Sequence, residues 1–140
     1  MKTYFLLFFS LVALMSCSSD NDDSPSMDTS GDDVMEIVAY SGNFVSVVHP
    51  TEGTAEINKE EATLTLSNFK SDEGPSLELY LSTDASATKY VSLGALQGLD
   101  GNYTYDLSAN IDLDFSEYNH VIVWCVPFGV NFGNAVLEMN

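Results

Sequence analysis

Short apolar runs separated by turn residues fill the chain from Val34 onward, and this pattern is compatible with few folds. The turn signals recur about every 8–12 residues, a spacing typical of sandwiches and barrels built from short strands. No stretch keeps an apolar stripe at helical spacing for three turns. We therefore predict an all-β fold, with a single β-sandwich or barrel-like domain over residues 34–140.

The pattern also places the individual strands and turns. We predict strands at Ile37–Tyr40, Phe44–Val48, Thr54–Ile57, Ala62–Phe69, Leu77–Ser82, Tyr90–Leu93, Tyr103–Leu107, His120–Val126, Val130–Phe132 and Ala135–Glu138. The segments SGN, HPTEG, SDEGPS, QGLDGN and PFG lie between them and contain the Gly, Pro, Asn and Asp that turns require.

Two of the predicted strands indicate how the sheet is buried. In Leu77–Ser82, three leucines alternate with Glu78, Tyr80 and Ser82, and this period of two predicts one buried face and one wetter face. The run Val121–Val126 (VIVWCV) is apolar on both faces. We therefore predict that it is a central strand.

The first seventeen residues, MKTYFLLFFSLVALMSC, carry the features of an export signal. Lys2 gives a positive start, and the apolar run Tyr4–Leu14 is too short to cross a bilayer but fits a signal peptide. The ending LMSC resembles the lipobox of bacterial lipoproteins. We predict that residues 1–16 are a signal peptide and that Cys17 is acylated, with palmitate among its chains, so that the lipid anchors the mature protein to the membrane. An ordinary signal peptide with an incidental cysteine is the alternative.

Residues 18–33 read SSDNDDSPSMDTSGDD, with six aspartates and no basic residue. Such a segment cannot bury enough apolar surface to offset chain entropy, so we predict a disordered acidic tether over residues 17–33. The stretch Ser18–Asp23 resembles the acidic signal that directs some lipoproteins to the outer face of the outer membrane. We expect an exported, lipid-anchored protein of a Gram-negative cell envelope, in the outer membrane; a plain solvated spacer is the other interpretation of the acidic stretch.

The formal net charge is −17, and the chain contains no arginine. Nucleic-acid binding requires cations that replace the counterions of the phosphates, so the charge excludes it. Docking of the domain itself on anionic lipid is disfavoured for the same reason, which leaves the lipid on Cys17 as the predicted contact with the membrane.

A series of motifs in the last hundred residues resembles a known domain. They are SGNF at Ser41–Phe44, HPTEGTA at His49–Ala55, LTLSNF at Leu64–Phe69, GPSLELYL at Gly74–Leu81, LGAL at Leu93–Leu96, GNYTY at Gly101–Tyr105 and VIVWCVPFGVNFGNAVL at Val121–Leu137. Their order resembles the DM-thirteen domain, a small all-β module often described as an electron-transfer domain. In animals that domain occurs beside cytochrome-like DOMON domains.

The resemblance implies a function for Cys125. In that family the cysteine of the Trp-Cys pair is the proposed redox residue, either as a bare thiol or as a ligand to a prosthetic group such as haem. No DOMON-like segment accompanies the domain in this sequence, so the electron partner would be a separate envelope redox protein. The alternative is a non-enzymatic surface binding or adhesion module in which Cys125 belongs only to the core.

The remaining candidate ligands are the two histidines. Acylation of Cys17 would leave Cys125 without an intramolecular partner. With Cys125, His49 and His120 could supply soft ligands, but no CxxC or HxxxH spacing forms a site on one element. In a strand, His120 and Cys125 would lie on opposite faces and about 16 Å apart. Only His49 therefore stays beside Cys125 as a candidate cofactor ligand, two ordinary histidines are the simpler interpretation, and no metal site is predicted.

The sequence does not indicate hydrolase or transferase chemistry. Cys125 and His49 could supply two members of a catalytic triad. However, a cysteine between Trp124 and Val126 in a central strand should be desolvated, which disfavours a nucleophilic thiolate. The sequence contains no GxSxG and no P-loop. We expect at most a redox or electron-transfer component.

Overall fold

Nine β-strands and one 3-10 turn make up residues 39–140, the part of the chain that this computed structural model describes. The strands are β1 Ala39–Ser46, β2 Thr51–Asn58, β3 Thr63–Ser71, β4 Leu77–Ser82, β5 Tyr90–Ala95, β6 Asp100–Asp106, β7 His120–Cys125, β8 Val130–Val136 and β9 Glu138–Met139. The 3-10 turn is Ser108–Asn110. Within these residues no helix has the length and hydrophobicity to span a membrane. The all-β prediction is confirmed, whereas the predicted signal peptide, Cys17 and the tether lie outside the described residues.

The strands form a single antiparallel sheet that curls into a nearly closed barrel. Their order is β5-β4-β7-β8-β1-β2-β3-β6, and β9 pairs with β1. The two edges, β5 and β6, are linked by the segment that contains Gln97. The side-chain amide of Gln97 donates to the Thr104 carbonyl at 2.6 Å, and its N–H donates to the Tyr105 hydroxyl at 3.0 Å. These two bonds pair polar groups at the β6 edge of the sheet, which would otherwise lack hydrogen-bond partners.

Strand β1 runs through the Ser-Gly-Asn segment that was predicted to be a turn. Residues Ala39–Asn43 pair with β2, and Phe44–Ser46 pair with β8, so one strand serves two neighbours in succession. At the change of partner, a Cβ on Gly42 would lie 2.1 Å from the carbonyl oxygen of Val136. The turn prediction was wrong because glycine is also used inside strands. Gly42 has no Cβ, and its strand can therefore approach another backbone closely.

Other strand boundaries also differ from the prediction, because glycines and turn residues lie inside strands. The predicted break between Phe132 and Ala135 does not occur, since β8 continues to Val136 and the interruption falls at Leu137. A Cβ on Gly133 would lie 2.4 Å from the Cβ of Thr51, so this glycine leaves room for a neighbouring side chain. The predicted turn residues from Thr51 and from Asp100 onward also belong to strands, namely β2 and β6.

The central position of β7 is confirmed, because it pairs with β4 on one side and β8 on the other. The strand ends at Cys125, one residue earlier than predicted, and Val126 is exposed in the following turn. Strand β4 has the predicted bounds and buries its leucines, but Tyr80 and Ser82 on its other face are buried as well. The prediction that this second face of β4 is wetter was therefore wrong, since side chains of neighbouring strands and a loop cover it.

Candidate functional site

Cys125 is the last residue of β7, and its side chain points into the core of the barrel. It pairs with Leu77 of β4 and with Val130 of β8. The residue is 0% exposed and packs in the same cluster as Val121 and Val123. It has no disulfide partner among residues 39–140. In this conformation Cys125 behaves as a small apolar core side chain with a weak S–H donor.

A short segment, Gly74–Ser76, lies over the thiol, and we call it the thiol cover. The Cys125 thiol donates a hydrogen bond to the Pro75 carbonyl at 3.4 Å, and the Val126 N–H donates to the Ser76 carbonyl at 3.1 Å. Gly74 packs so tightly that a Cβ there would lie 2.7 Å from Cζ of Phe132. These contacts must break before a reagent can reach the sulfur from this side.

His49 follows β1 at the same end of the barrel as Cys125. Its N–H donates to the Phe132 carbonyl at 3.2 Å, and its ring packs on the Phe132 ring with centroids 4.0 Å apart. The Nδ1 atom is 3.1 Å from a carboxylate oxygen of Asp72, and both side chains are exposed. His49 is therefore placed as a surface residue that pairs with a carboxylate.

The structure does not bring His49 and Cys125 together as ligands. The Phe132 ring contacts His49 and also lies against Gly74 of the thiol cover, so it stands between the histidine and the segment over the sulfur. Within the described range, no three His, Cys, Asp or Glu side chains are grouped so that they could hold a metal ion.

His120 begins β7, at the opposite end of the strand from Cys125. Its Nδ1 is 2.7 Å from Oδ1 of Asn119. Partial burial lowers the pKa of His120 below its usual value, and the nearby Asp84 carboxylate opposes part of that effect. His120 takes no part in the surroundings of the thiol.

The packing around Cys125 does not fit haem. Two open surface cavities have volumes of about 260 and 330 Å³, and neither is lined by Cys125 or His49. An organic group needs concave space beside the atom that ligates it, whereas this sulfur is enclosed by core side chains and the thiol cover. The described arrangement therefore offers a bare thiol.

Three aromatic side chains stack across the outer face of the sheet, and we call Tyr90, Tyr80 and Trp124 the aromatic stack. The Tyr90 and Tyr80 rings are 4.2 Å apart at 12°, and the Tyr80 and Trp124 rings are 5.9 Å apart at 23°. Tyr80 is 4% exposed, whereas Tyr90 is 48% exposed. Sequence analysis did not identify this stack. The outward position of Tyr80 was a signal for it, but its neighbours depend on a register that the pattern does not supply.

Burial raises the pKa of Tyr80 to about 12, with further contributions from the hydroxyl of Tyr90 and the carboxylate of Glu78. The Glu78 carboxylate accepts a hydrogen bond from the Ser92 hydroxyl at 2.7 Å, which holds the carboxylate beside the stack. The Tyr80 hydroxyl therefore keeps its proton at neutral pH.

A loop between β4 and β5 covers the outer face beside the stack. The side-chain amide of Asn131 donates to the Ala85 carbonyl in this loop and to Oδ1 of Asn134, both at 2.9 Å. Exchanging the amide nitrogen and oxygen of Asn131 would remove both bonds, so its orientation is determined by the network. The Asn131 Oδ1 atom is buried without a hydrogen-bond partner.

The rim above Cys125 exposes a group of apolar side chains, Val47, Val48, Val126 and Phe128, which we call the rim patch. Phe128 is 70% exposed, and the three valines are about half exposed. The Val48 N–H donates to the Asn131 carbonyl at the start of β8, close to the turn that carries Val126 and Phe128. These four side chains therefore expose apolar surface at the end of the barrel where β7 ends.

Residues 43–137 match the sequence model of a family described as electron transfer DM13. The match covers more than half of the chain and includes Cys125, the thiol cover and the aromatic stack. No curated protein and no solved structure matches the chain significantly.

Proposed function

This chain belongs to the electron transfer DM13 family, and we propose that it works in the cell envelope as a lipid-anchored electron-transfer module whose redox group is the thiol of Cys125. The family match carries the proposal, because the matched residues include Cys125 and both strands that flank it. The envelope location is supported by the LMSC sequence that ends at Cys17 and by the acidic tether after it.

Complete burial determines how such a thiol can react. Thiol oxidation and thiol–disulfide exchange require contact with the sulfur as thiolate, so the closed thiol cover protects Cys125 from unspecific oxidants. Local opening of a short segment requires less free energy than global unfolding. Once the cover opens, the Cys125 thiolate can attack a partner disulfide, forming a mixed disulfide while the second partner sulfur leaves as a thiolate.

The surface around the thiol supports a protein as the redox partner. The rim patch offers apolar contact area at the end of the barrel where β7 ends at Cys125. The net charge of −17 attracts a basic protein over long distances and repels an acidic one. We therefore propose a separate, basic envelope redox protein as the partner.

A second function is favoured by one observation, the tight enclosure of the sulfur. Cys125 is fully buried and its S–H group already has an acceptor in Pro75. If the thiol cover never opens, Cys125 is a core residue and the rim patch serves a non-enzymatic surface binding or adhesion module.

Thiol labelling separates the two functions. We expect the native Cys17→Ser protein to react with an uncharged thiol reagent at neutral pH, more slowly than in denaturant but faster than global unfolding allows. The Cys125→Ala variant on the same background is the control and should not react. An absorption spectrum of the protein purified from its native membrane tests for a bound prosthetic group. Labelling that occurs only after denaturation, without a bound chromophore, would reject the redox function and leave the binding module.

A further inference from the structure

The aromatic stack follows the register of three neighbouring strands. Tyr90 pairs with Ser82 of β4, while Trp124 pairs with Glu78 of the same strand. Tyr80 lies between Ser82 and Glu78 on this face, so both aromatic neighbours are diagonal to it. Diagonal positions in a sheet are within reach of aromatic side chains. The stack therefore runs obliquely from Tyr90, near one end of β4, to Trp124, near the rim.

The chemistry of the three rings goes beyond filling space. Aliphatic side chains also cover sheet faces, but phenol and indole rings lose single electrons far more readily than such side chains do. The rings lie nearly parallel at close distances, which favours overlap of their π systems. Trp124 is also the residue that precedes Cys125, so one end of the stack is joined to the thiol through the backbone.

We propose that Tyr90, Tyr80 and Trp124 form a path along which single electrons move between the Tyr90 phenol at the surface of the barrel and the Trp124 indole. Conduction along the stack depends only on the three rings, whereas its use by the module rests on the proposed electron-transfer function.

The path operates by single-electron steps, and each proton passes to or from water. A one-electron oxidant takes an electron from the Trp124 indole, whose N–H proton passes to water and leaves a neutral indolyl radical. An electron then moves from Tyr90 through Tyr80 to this radical, the indole regains a proton from water, and the Tyr90 hydroxyl releases its proton to water. The resulting tyrosyl radical is reduced at the surface by a one-electron donor together with one proton from water.

Exposure assigns different tasks to the two tyrosines. Tyr90 is half exposed, so its hydroxyl can exchange a proton with solvent as it gains or loses an electron. Tyr80 is almost completely buried and keeps its proton, because burial raises its pKa to about 12. Tyr80 therefore serves as a closed-shell bridge, and Tyr90 is the residue on which a radical comes to rest.

Pulse radiolysis with azide radicals tests the path, since these radicals oxidise tryptophan and Trp124 is the only tryptophan in the chain. In the purified full-length protein in detergent, we expect the indolyl absorbance to decay while a tyrosyl absorbance grows at the same rate. That rate should not depend on protein concentration. Tyr90→Phe keeps the ring and its packing but should lose the tyrosyl growth phase.

Two further variants complete the experiment. Tyr40→Phe alters a tyrosine that packs on Phe115 outside the stack and should leave the growth phase unchanged. Tyr80→Leu, used only if its unfolding curve shows a folded protein, should lose the growth phase because the bridge ring is gone. Indolyl decay without tyrosyl growth in the parent protein, or growth that persists in Tyr90→Phe, would overturn the proposal.

The outcome is independent of the test of Cys125. The radiolysis experiment follows only the indolyl and tyrosyl absorbances, whereas the labelling experiment follows only the thiol. A conducting stack with an unreactive thiol would reject the proposed function alone, and a reactive thiol with a silent stack would reject this inference alone.

Discussion

At the level of single residues, Cys125 combines a reactive group with complete burial. Its sulfur lies among core side chains, and its S–H group donates to the Pro75 carbonyl. Cys125 therefore contributes to the stability of the barrel whether or not it has a redox role. A reagent can reach the sulfur from this side only after the contacts of the thiol cover, Gly74–Ser76, break.

Replacing Cys125 should destabilise the protein moderately. Cys125→Ala leaves a small cavity, and Cys125→Ser places a hydroxyl in apolar surroundings, so each should lower the free energy of unfolding by about 1–2 kcal/mol. Urea unfolding monitored by Trp124 fluorescence measures the change. Val126→Ala, at an exposed position one residue further on, should change stability by less than about 0.5 kcal/mol. Equal effects of the Cys125 and Val126 substitutions would contradict the described packing.

His120 should make stability depend on pH. Because burial lowers its pKa in the folded state, the unfolded state binds a proton more readily, and stability should fall as the pH drops from about 7 to 5. The difference in urea midpoint between these pH values measures the effect. His120→Asn should flatten the dependence, and a variant with an unchanged slope would show that another group is responsible.

The hydrogen-bonded carboxylates of Asp84, Asp106 and Asp114 have lowered pKa values, so their contribution to stability is lost only at more acidic pH.

At the level of elements, β7 presents two different environments within one strand. Its inner face carries Cys125 under the thiol cover, and its outer face carries Trp124 in the aromatic stack. Alternation of side chains makes this unavoidable, since adjacent residues in a strand point to opposite faces. The Trp-Cys pair therefore joins the buried thiol to the outer surface through a single peptide unit.

The change of partner along β1, from β2 to β8, depends on the close approach at Gly42. In Gly42→Ala the new Cβ would collide with the Val136 carbonyl, which is backbone and cannot move aside cheaply, so the free energy of unfolding should fall by about 1–3 kcal/mol. Thermal and urea unfolding measure the loss. Gly129→Ala is the matched control, because no atom lies within 4 Å of its Cβ and only its positive φ of 59° costs about 1 kcal/mol. A Gly42 variant no less stable than the Gly129 variant would contradict the close approach.

The acidic tether should affect location and not folding. Replacing Asp20, Asp22 and Asp23 with Ala removes the charges of the stretch that resembles an export signal. We expect a folded, lipidated protein with less exposure on the cell surface, measured by protease shaving of whole cells. Substituting Asp28, Asp32 and Asp33 instead removes equal charge further along and should leave surface exposure unchanged. Equal accessibility of the first variant and the parent would leave only the spacer role.

At the level of the whole molecule, we expect a small acidic barrel that is anchored to the membrane by the lipid on Cys17. The charge of −17 disfavours contact of the domain with anionic membrane surfaces. The lipid on Cys17 would then supply the attachment, and the tether would let the rim patch reach partners beyond the membrane surface.

Cys17→Ala should release the protein from membranes. Without the thiol no acyl chains can be attached, and acyl burial is the main source of stable anchoring. Membrane fractionation gives the location, and mass spectrometry of the mature amino terminus gives the modification. Ser16→Ala, which keeps a small residue before the cysteine, should remain lipidated. An unmodified amino terminus in the parent protein would refute the lipoprotein prediction.

Local sequence information was sufficient for the class of fold and for much of its strand order along the chain. The alternating leucines of Leu77–Ser82 and the apolar run before Pro127 predicted β4 and the central β7, because side-chain period and hydrophobicity are local properties. Local pattern did not mark Cys125 as a redox candidate; that prediction came from the resemblance of the ordered motifs to the DM-thirteen domain.

Which residues contact each other was decided only by the tertiary structure. Gly42 and Gly133 have turn composition but lie inside strands, since the backbone or side chain that passes close to them comes from elsewhere in the sequence. The aromatic stack and the burial of Tyr80 depend on cross-strand register, and register follows from the pairing of distant segments. The thiol cover over Cys125 likewise comes from a segment 50 residues earlier in the chain. Long-range pairing thus placed the thiol cover and the aromatic stack, while short-range pattern determined only the elements that carry them.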